Sequence, residues 1–186
     1  GKTGYGIATT YFLSNLQLKA SVEQAYRLPS DRELFGDEIL ETGNIILRPE
    51  NSMNYNLGLT YNKETEAGYT LYFDVSGYFR DTRDFIKTTL QSNTQTQSYT
   101  YGTANHGRVT NIGTDAEARV YYKNKVMLGA MGTYMNIRDK EPWLHAISGG
   151  VENPSYGARM PNLPYFFGNL DASYYFHDLL GEGNTL

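Results

Sequence analysis

The sequence predicts an all-β protein: an antiparallel, up-and-down transmembrane β-barrel, present as an incomplete segment of about seven strands. Three observations carry that expectation. Residues 53–61 and 69–79 alternate strictly between apolar and polar side chains, the connections between such runs alternate short and long, and aromatic residues recur near both ends of the apolar faces. Alternation with period two gives a strand one apolar and one polar face. An apolar fraction of 40% across 186 residues is low for a two-sided core, but suits a sheet that is apolar only on its outside.

The first strand is expected at 5–13, followed by a tight turn at Ser14–Asn15 and a second strand over 16–27. In the latter, Leu16, Leu18, Ala20 and Val22 oppose Gln17, Lys19, Ser21 and Glu23. Residues 28–51, broken by Pro29, Gly36, Gly43 and Pro49, read as a long irregular connection. Met53, Tyr55, Leu57, Leu59 and Tyr61 then line one face of strand three, and Tyr69, Leu71, Phe73, Val75, Gly77 and Phe79 one face of strand four. The charged, Gly-ending linker 63–68 between them predicts a hairpin.

Beyond Arg80 the chain is charged and then rich in Ser, Thr, Gln and Asn as far as Asn105, with 84–90 a possible extension of strand four. Strand five falls within 107–122, strand six at 126–134 after a Lys123–Asn124–Lys125 turn, and strand seven at 165–176 after the long segment 136–164. Short turns and long connections thus strictly alternate, as in outer-membrane barrels with short periplasmic turns and long external loops. Tyr61, Tyr69, Tyr122 and Phe176 lie on the outward parity beside the short turns, and Tyr55, Phe79 and Tyr134 share it near the long loops. That is the layout of two interfacial aromatic girdles.

No apolar run reaches the ~18 residues of a membrane helix. With 0 Cys, disulfides and thiolate metal sites are excluded from this segment, and a mixed net charge of -4 does not suggest a nucleic-acid partner. His106, His145 and His177 show no metal-ligand spacing, and neither a hydrolase elbow nor a zinc-protease motif is present, so no cofactor and no catalytic residue is expected. Gly1–Lys2–Thr3 lacks the rest of a phosphate-binding loop. Arg80–Asp81 and Arg83–Asp84 read as a salt-bridged strand end, with anion binding as the alternative.

Two groups of residues are candidates for contact with a solute. Tyr72, Asp74, Tyr78, Asp115, Glu117, Arg119, Asn169 and Asp171 take the lumen-facing parity, where water, another part of the protein or a ligand would meet them. Tyr99, Tyr101, His106, Trp143, His145, Tyr156 and Arg159 form the loop set, since rings with a few polar groups on long external loops suit capture of a bulky solute.

Several stretches resemble the barrel of TonB-dependent outer-membrane receptors. They are Tyr26-Arg27-Leu28-Pro29-Ser30-Asp31-Arg32-Glu33-Leu34-Phe35-Gly36-Asp37, Leu47-Arg48-Pro49-Glu50-Asn51-Ser52 leading into strand three, Phe79-Arg80-Asp81 through Ile86, and Arg159-Met160-Pro161-Asn162-Leu163-Pro164. The style is similar to receptors of the Bacteroidetes group. The resemblance implies a 22-stranded barrel in the bacterial outer membrane, plugged by its own N-terminal domain and importing a scarce small-molecule or oligomeric nutrient with energy from TonB. On that reading residues 1–186 are about a third of the barrel, with plug and closing strands absent. The strand-five segment Gly113-Thr114-Asp115-Ala116-Glu117 departs from the Gly-x-Glu pattern of many relatives. A passive porin is the alternative function; a barrel enzyme would need more than His145 and Ser148 in a loop, and a soluble β-barrel would fold in water without detergent.

Overall fold

The computed structural model describes residues 2–37, 41–93, 98–123, 125–144, 151–161 and 163–176. Ten strands and one short helix follow in the order β1 Tyr5–Leu13, β2 Leu16–Arg27, α1 Asp31–Phe35, β3 Glu41–Thr42, β4 Glu50–Glu64, β5 Tyr69–Asn93, β6 Ser98–Tyr122, β7 Val126–Asp139, β8 Trp143–Leu144, β9 Val151–Glu152 and β10 Phe166–Tyr174. Seven of them form one antiparallel meander, β1-β2-β4-β5-β6-β7-β10, so every long strand pairs with its neighbour in the chain. Among the described residues β1 pairs only with β2 and β10 only with β7, which leaves the sheet open at both edges. An open arc of a barrel has this form.

The register turns the alternation of single strands into two continuous faces. One row runs Tyr11, Leu18, Leu59, Val75, Ala116, Gly132, Gly168 across all seven strands. The row one step along runs Thr10, Lys19, Gly58, Ser76, Asp115, Thr133, Phe167 on the opposite face. Among the described residues no second layer covers the apolar side. Ile7 is 76% exposed, Leu57 66%, Val75 48%, Leu128 56% and Leu170 86%. A water-soluble sheet would bury such a face, whereas a membrane barrel presents it to hydrocarbon.

Aromatic pairs close both margins of this face. Tyr55 and Phe79 have ring centroids 6.1 Å apart on the long-connection side. On the short-turn side, Tyr61 and Phe73 are 6.2 Å apart, Tyr69 and Tyr122 4.6 Å, and Tyr174 and Phe176 4.8 Å. The two sides differ in architecture as well. Ser14 and Lys123, both with positive φ, make the tight turns on one side. On the other, β5 and β6 each run 25 residues, past Phe79 and Ile112 and on into a long hairpin.

That hairpin corrects the expectation of a polar loop ending at Asn105. Residues 98–106 are strand, paired with 86–93 from Ile86–Asn105 to Asn93–Ser98. Beyond the apolar band Thr, Ser and Asn occupy both parities of the hairpin, so alternation disappears. Strand β7 is likewise longer than expected, continuing to Asp139. The register shifts between Thr82 and Phe85, where Asp84 has φ 55. This is a β-bulge at the rim, and Asp tolerates the left-handed conformation better than most residues.

The connection 28–51 contains a helix that alternation could not reveal. Ser30 caps α1, accepting from the Glu33 amide while the Glu33 carboxylate accepts from the Ser30 amide at 2.7 Å, a complete capping box. Arg27 at the end of β2 binds Glu33 at 3.1 Å and Glu50 at 2.9 Å, and Glu50 in turn accepts from the Ile86 amide. Four elements, β2, α1, β4 and β5, are thereby tied at the rim.

Candidate functional site

The polar face is the first candidate surface. Tyr72, Asp74, Tyr78, Asp115, Glu117, Arg119, Asn169 and Asp171 all share it, in four adjacent register rows. Asp74 and Glu117 stand directly opposite one another, a repulsive arrangement for two carboxylates. Each has a compensating partner: Thr60 Oγ1 donates to Asp74, and Arg119 Nε lies 2.6 Å from Glu117. Asp115 accepts from Thr133 Oγ1 at 2.6 Å, and the Asp171 carboxylate lies over Gly129, where a Cβ would collide with it. Asp74, Glu117 and Asp115 are thus held in place by neighbouring side chains.

Nearer the rim the same face holds a cleft of which the sequence reading noted only Tyr78 and Arg80. Asn54, Asn56, Tyr78, Arg80 and Asn111 line about 280 Å³. Arg80 Nε donates to Asn54 Oδ1 at 2.7 Å, and Asn54 Nδ2 donates to Glu23 at 3.0 Å. Asn111 Oδ1 is shielded from solvent and has no hydrogen-bond partner. The signal was present in the alternation, since Asn54 and Asn56 take the polar parity of β4. Arg80 and Asp81 do not form the expected neighbouring salt bridge, because they point to opposite faces; Asp81 instead receives both Nε and Nη2 of Arg108 at 2.8 Å. Asp84 pairs with Arg48 at 2.7 Å rather than with Arg83.

The expected loop set separates into three places. Tyr99, Tyr101 and His106 are on β6 rather than in a loop, with Tyr99 68% exposed near the far end of the hairpin. Tyr101 pairs with Glu41 of β3, which adds to β6 in parallel. His106 Nε2 sits 2.6 Å from Asp139, whose carboxylate also accepts from Asn153 Nδ2 at 3.1 Å. Trp143 opens the small β8-β9 hairpin and is 46% exposed, while Tyr156 lies beneath Lys140 with Nζ 5.7 Å from its ring. Arg159 is drawn to the outward parity: it donates to Asn136 Oδ1 at 3.0 Å and stacks 4.7 Å from the Tyr165 ring. His145 lies outside the described residues.

A family model described as the TonB dependent receptor-like β-barrel matches residues 4–184. The chain belongs to this family. A bacterial outer-membrane location follows from membership, and the proteins of this family are transport proteins. Among solved structures, the chain is similar in fold to one titled "Copper transporter OprC", with a TM-score of 0.69 at 18% identity over 93% of this chain. It spans 24% of that protein's length. No curated protein sequence matches it. The apolar face is therefore the lipid side of a TonB-dependent receptor barrel, and the long hairpins rise on its outer side.

Proposed function

We propose that residues 1–186 form one wall of an outer-membrane active transporter that binds a scarce nutrient and imports it with energy relayed by TonB through a plug domain of the same protein. The observation that carries this reading is the two-faced single-layer sheet: its apolar face is uncovered, and its opposite face carries fixed carboxylates, amides and tyrosines. In a closed barrel of this family the polar face lines the lumen, where Tyr72, Asp74, Tyr78, Asp115, Glu117, Arg119, Asn169 and Asp171 meet the plug, water or the passing solute. Tyr99, Tyr101, Trp143 and Tyr156 supply exposed rings above it for initial capture. The copper named for the solved transporter is not assigned to this chain, because the likeness is one of fold.

Uptake in cells with and without a functional TonB tests the proposal. Import is expected to fail without TonB. Import that continues unchanged would identify a passive pore instead.

A further inference from the structure

On the polar face, the row Glu23, Asn54, Arg80, Asn111, Ile137 crosses β2, β4, β5, β6 and β7 between two unlike neighbours. The next row towards the long connections, Ser52, Thr82, Val109, Asp139, is closed off, with Thr82 7%, Val109 3% and Asp139 2% exposed. The next row the other way holds Asn56, Tyr78 and Gly113, and the Tyr78 phenol lies over the glycine. The cleft of about 280 Å³ is the gap between them. It falls just below the roughly 300–1,000 Å³ of whole small-ligand sites, a size for one group of a larger solute. Its depth is fixed by the adjoining outward row Tyr55, Phe79, Ile112, the outer aromatic margin. A solute descending from outside therefore meets this part of the lumen wall as it passes the membrane interface.

Two unmet demands stand side by side in the cleft. Arg80 Nε is taken up by Asn54 Oδ1 at 2.7 Å, and Asn54, 4% exposed, is itself anchored to Glu23 at 3.0 Å, which fixes the guanidinium. The terminal nitrogens of Arg80 have no hydrogen-bond or ion-pair partner among the described residues. Glu23 is two strands away along the row, roughly 10 Å at ~4.8 Å per strand. Arg80 is the one charged side chain among the described residues lining the cleft, so the cleft calls for a single anionic group. Asn111, directly opposite Arg80 in register, supplies the second demand: its Oδ1 is shielded from solvent and lacks a donor. A ligand hydroxyl can donate to it, whereas an acceptor-only oxygen cannot. An ammonium would meet the charge of Arg80 and find no carboxylate in the lining.

We infer that this cleft binds a hydroxy acid, with the carboxylate on the fork of Arg80 and a neighbouring hydroxyl donating to Asn111 Oδ1. The planar guanidinium meets carboxylate oxygens in pairs. A phosphate monoester, with a charge of about −1.5 to −2, would leave part of that charge unpaired beside a lone Arg. The inference rests on the transport reading in that this face lines the lumen, and adds to it the chemistry of one group on the solute: a sugar acid or similar polyhydroxy carboxylate.

The full-length receptor carrying this segment is purified in detergent and titrated with four probes by saturation-transfer NMR: D-glucuronate, its neutral methyl ester, cyclohexanecarboxylate and glucose 6-phosphate. The ester lacks the charge, and the cyclohexane acid lacks the hydroxyls. The unmodified protein is expected to hold glucuronate about tenfold more tightly than any of the other three. Arg80→Gln should abolish the preference for the acid over its ester, and Asn111→Leu should cut the preference over cyclohexanecarboxylate about threefold. Heat-modifiable migration on gels verifies that each variant is folded. Equal binding of acid and ester by the unmodified protein would overturn the inference, as would a preference that survives Arg80→Gln. Glucose 6-phosphate bound as tightly as glucuronate would also overturn it, assigning the cleft to phosphate. The titration contains no TonB, so a missing preference here leaves the uptake test unaffected, and uptake that ignores TonB would leave this preference standing.

Discussion

His106 Nε2 and Asp139 Oδ2, 2.6 Å apart, join β6 to β7 at a carboxylate that is only 3% exposed. Asp139 also accepts from the Glu141 amide at 2.9 Å and from Asn153 Nδ2, so one side chain fastens two strands and the following loop. Asp139→Ala should release the loop, at a local cost of about 2–4 kcal/mol for the lost charge-assisted bonds. His106→Ala removes one partner of three and should cost less. Hydrogen exchange reads this directly: amides of 153–158 should lose protection in Asp139→Ala while those of 112–122 keep theirs. Unchanged protection of 153–158 would contradict the assignment.

Val75 and Ser76 lie on opposite faces of β5, one in the apolar row of Leu59 and Ala116, the other opposite Gly58 and Asp115. Arginine at Val75 should destabilise by roughly 2–4 kcal/mol, the cost of a basic residue on the lipid side near mid-bilayer. The same change at Ser76 enters a polar face beside Asp115 and should cost far less. Unfolding in lipid vesicles with urea measures both, and equal costs would reverse the two faces.

How much of this was legible in the sequence follows from which solvent each segment meets. Strand β1 and β2 were read at their observed ends, because a change of side chain every second residue marks the membrane band and Ser14–Asn15 marks the turn. Residues 98–106 were not, since polar side chains take both parities of this hairpin and leave no alternation to read. Ser30 and Glu33 did carry the capping box of α1, but no apolar run followed to signal a helix. The His106–Asp139 link joins residues 33 apart through a register that only paired strands reveal. The eight polar-face candidates came straight from parity, whereas the grouping of the aromatic loop residues depended on how the connections fold back.

Glu33 responds to pH in a direction set by its partners. Burial pushes its carboxyl up, but Arg27 and the amide and hydroxyl of Ser30 together hold it below the usual carboxylate value. A folded value below the unfolded one means that the stabilisation is present above the ordinary value of 4.5 and is lost as pH falls through the folded value. The amides of Leu34 and Gly36, which bond to Ser30 and Arg32 carbonyls, report on the helix. Their protection should collapse on acidification at a higher pH in Arg27→Gln than in the unmodified protein. Identical acid profiles would show that Arg27 does not hold the helix.

Tyr78 lies over Gly113, so that a Cβ there would collide with the phenol ring and approach the Tyr134 carbonyl to 2.6 Å. Gly113→Ala should therefore displace Tyr78 and cost about 1–3 kcal/mol, as overpacking does. Tyr78→Ala in the same protein should recover part of that loss but not the part due to the Tyr134 carbonyl. A double-mutant cycle on unfolding free energy gives the coupling, expected at about 0.5–3 kcal/mol. Strict additivity would mean that the ring does not occupy the glycine.

Leu47, Ile86 and Val109 are the buried apolar side chains among the described residues, and Ile86 and Val109 both lie on the outer side of the Phe79–Ile112 pair. Within the spanning band, by contrast, the apolar residues trade one oily neighbour for another when the chain leaves its native pairing in a bilayer. Water is expelled from hydrocarbon mainly at the rim. Calorimetry in vesicles should consequently register a heat-capacity increment far below the ~12–15 cal/mol/K per residue of water-soluble domains, with most of it arising from the outer tier.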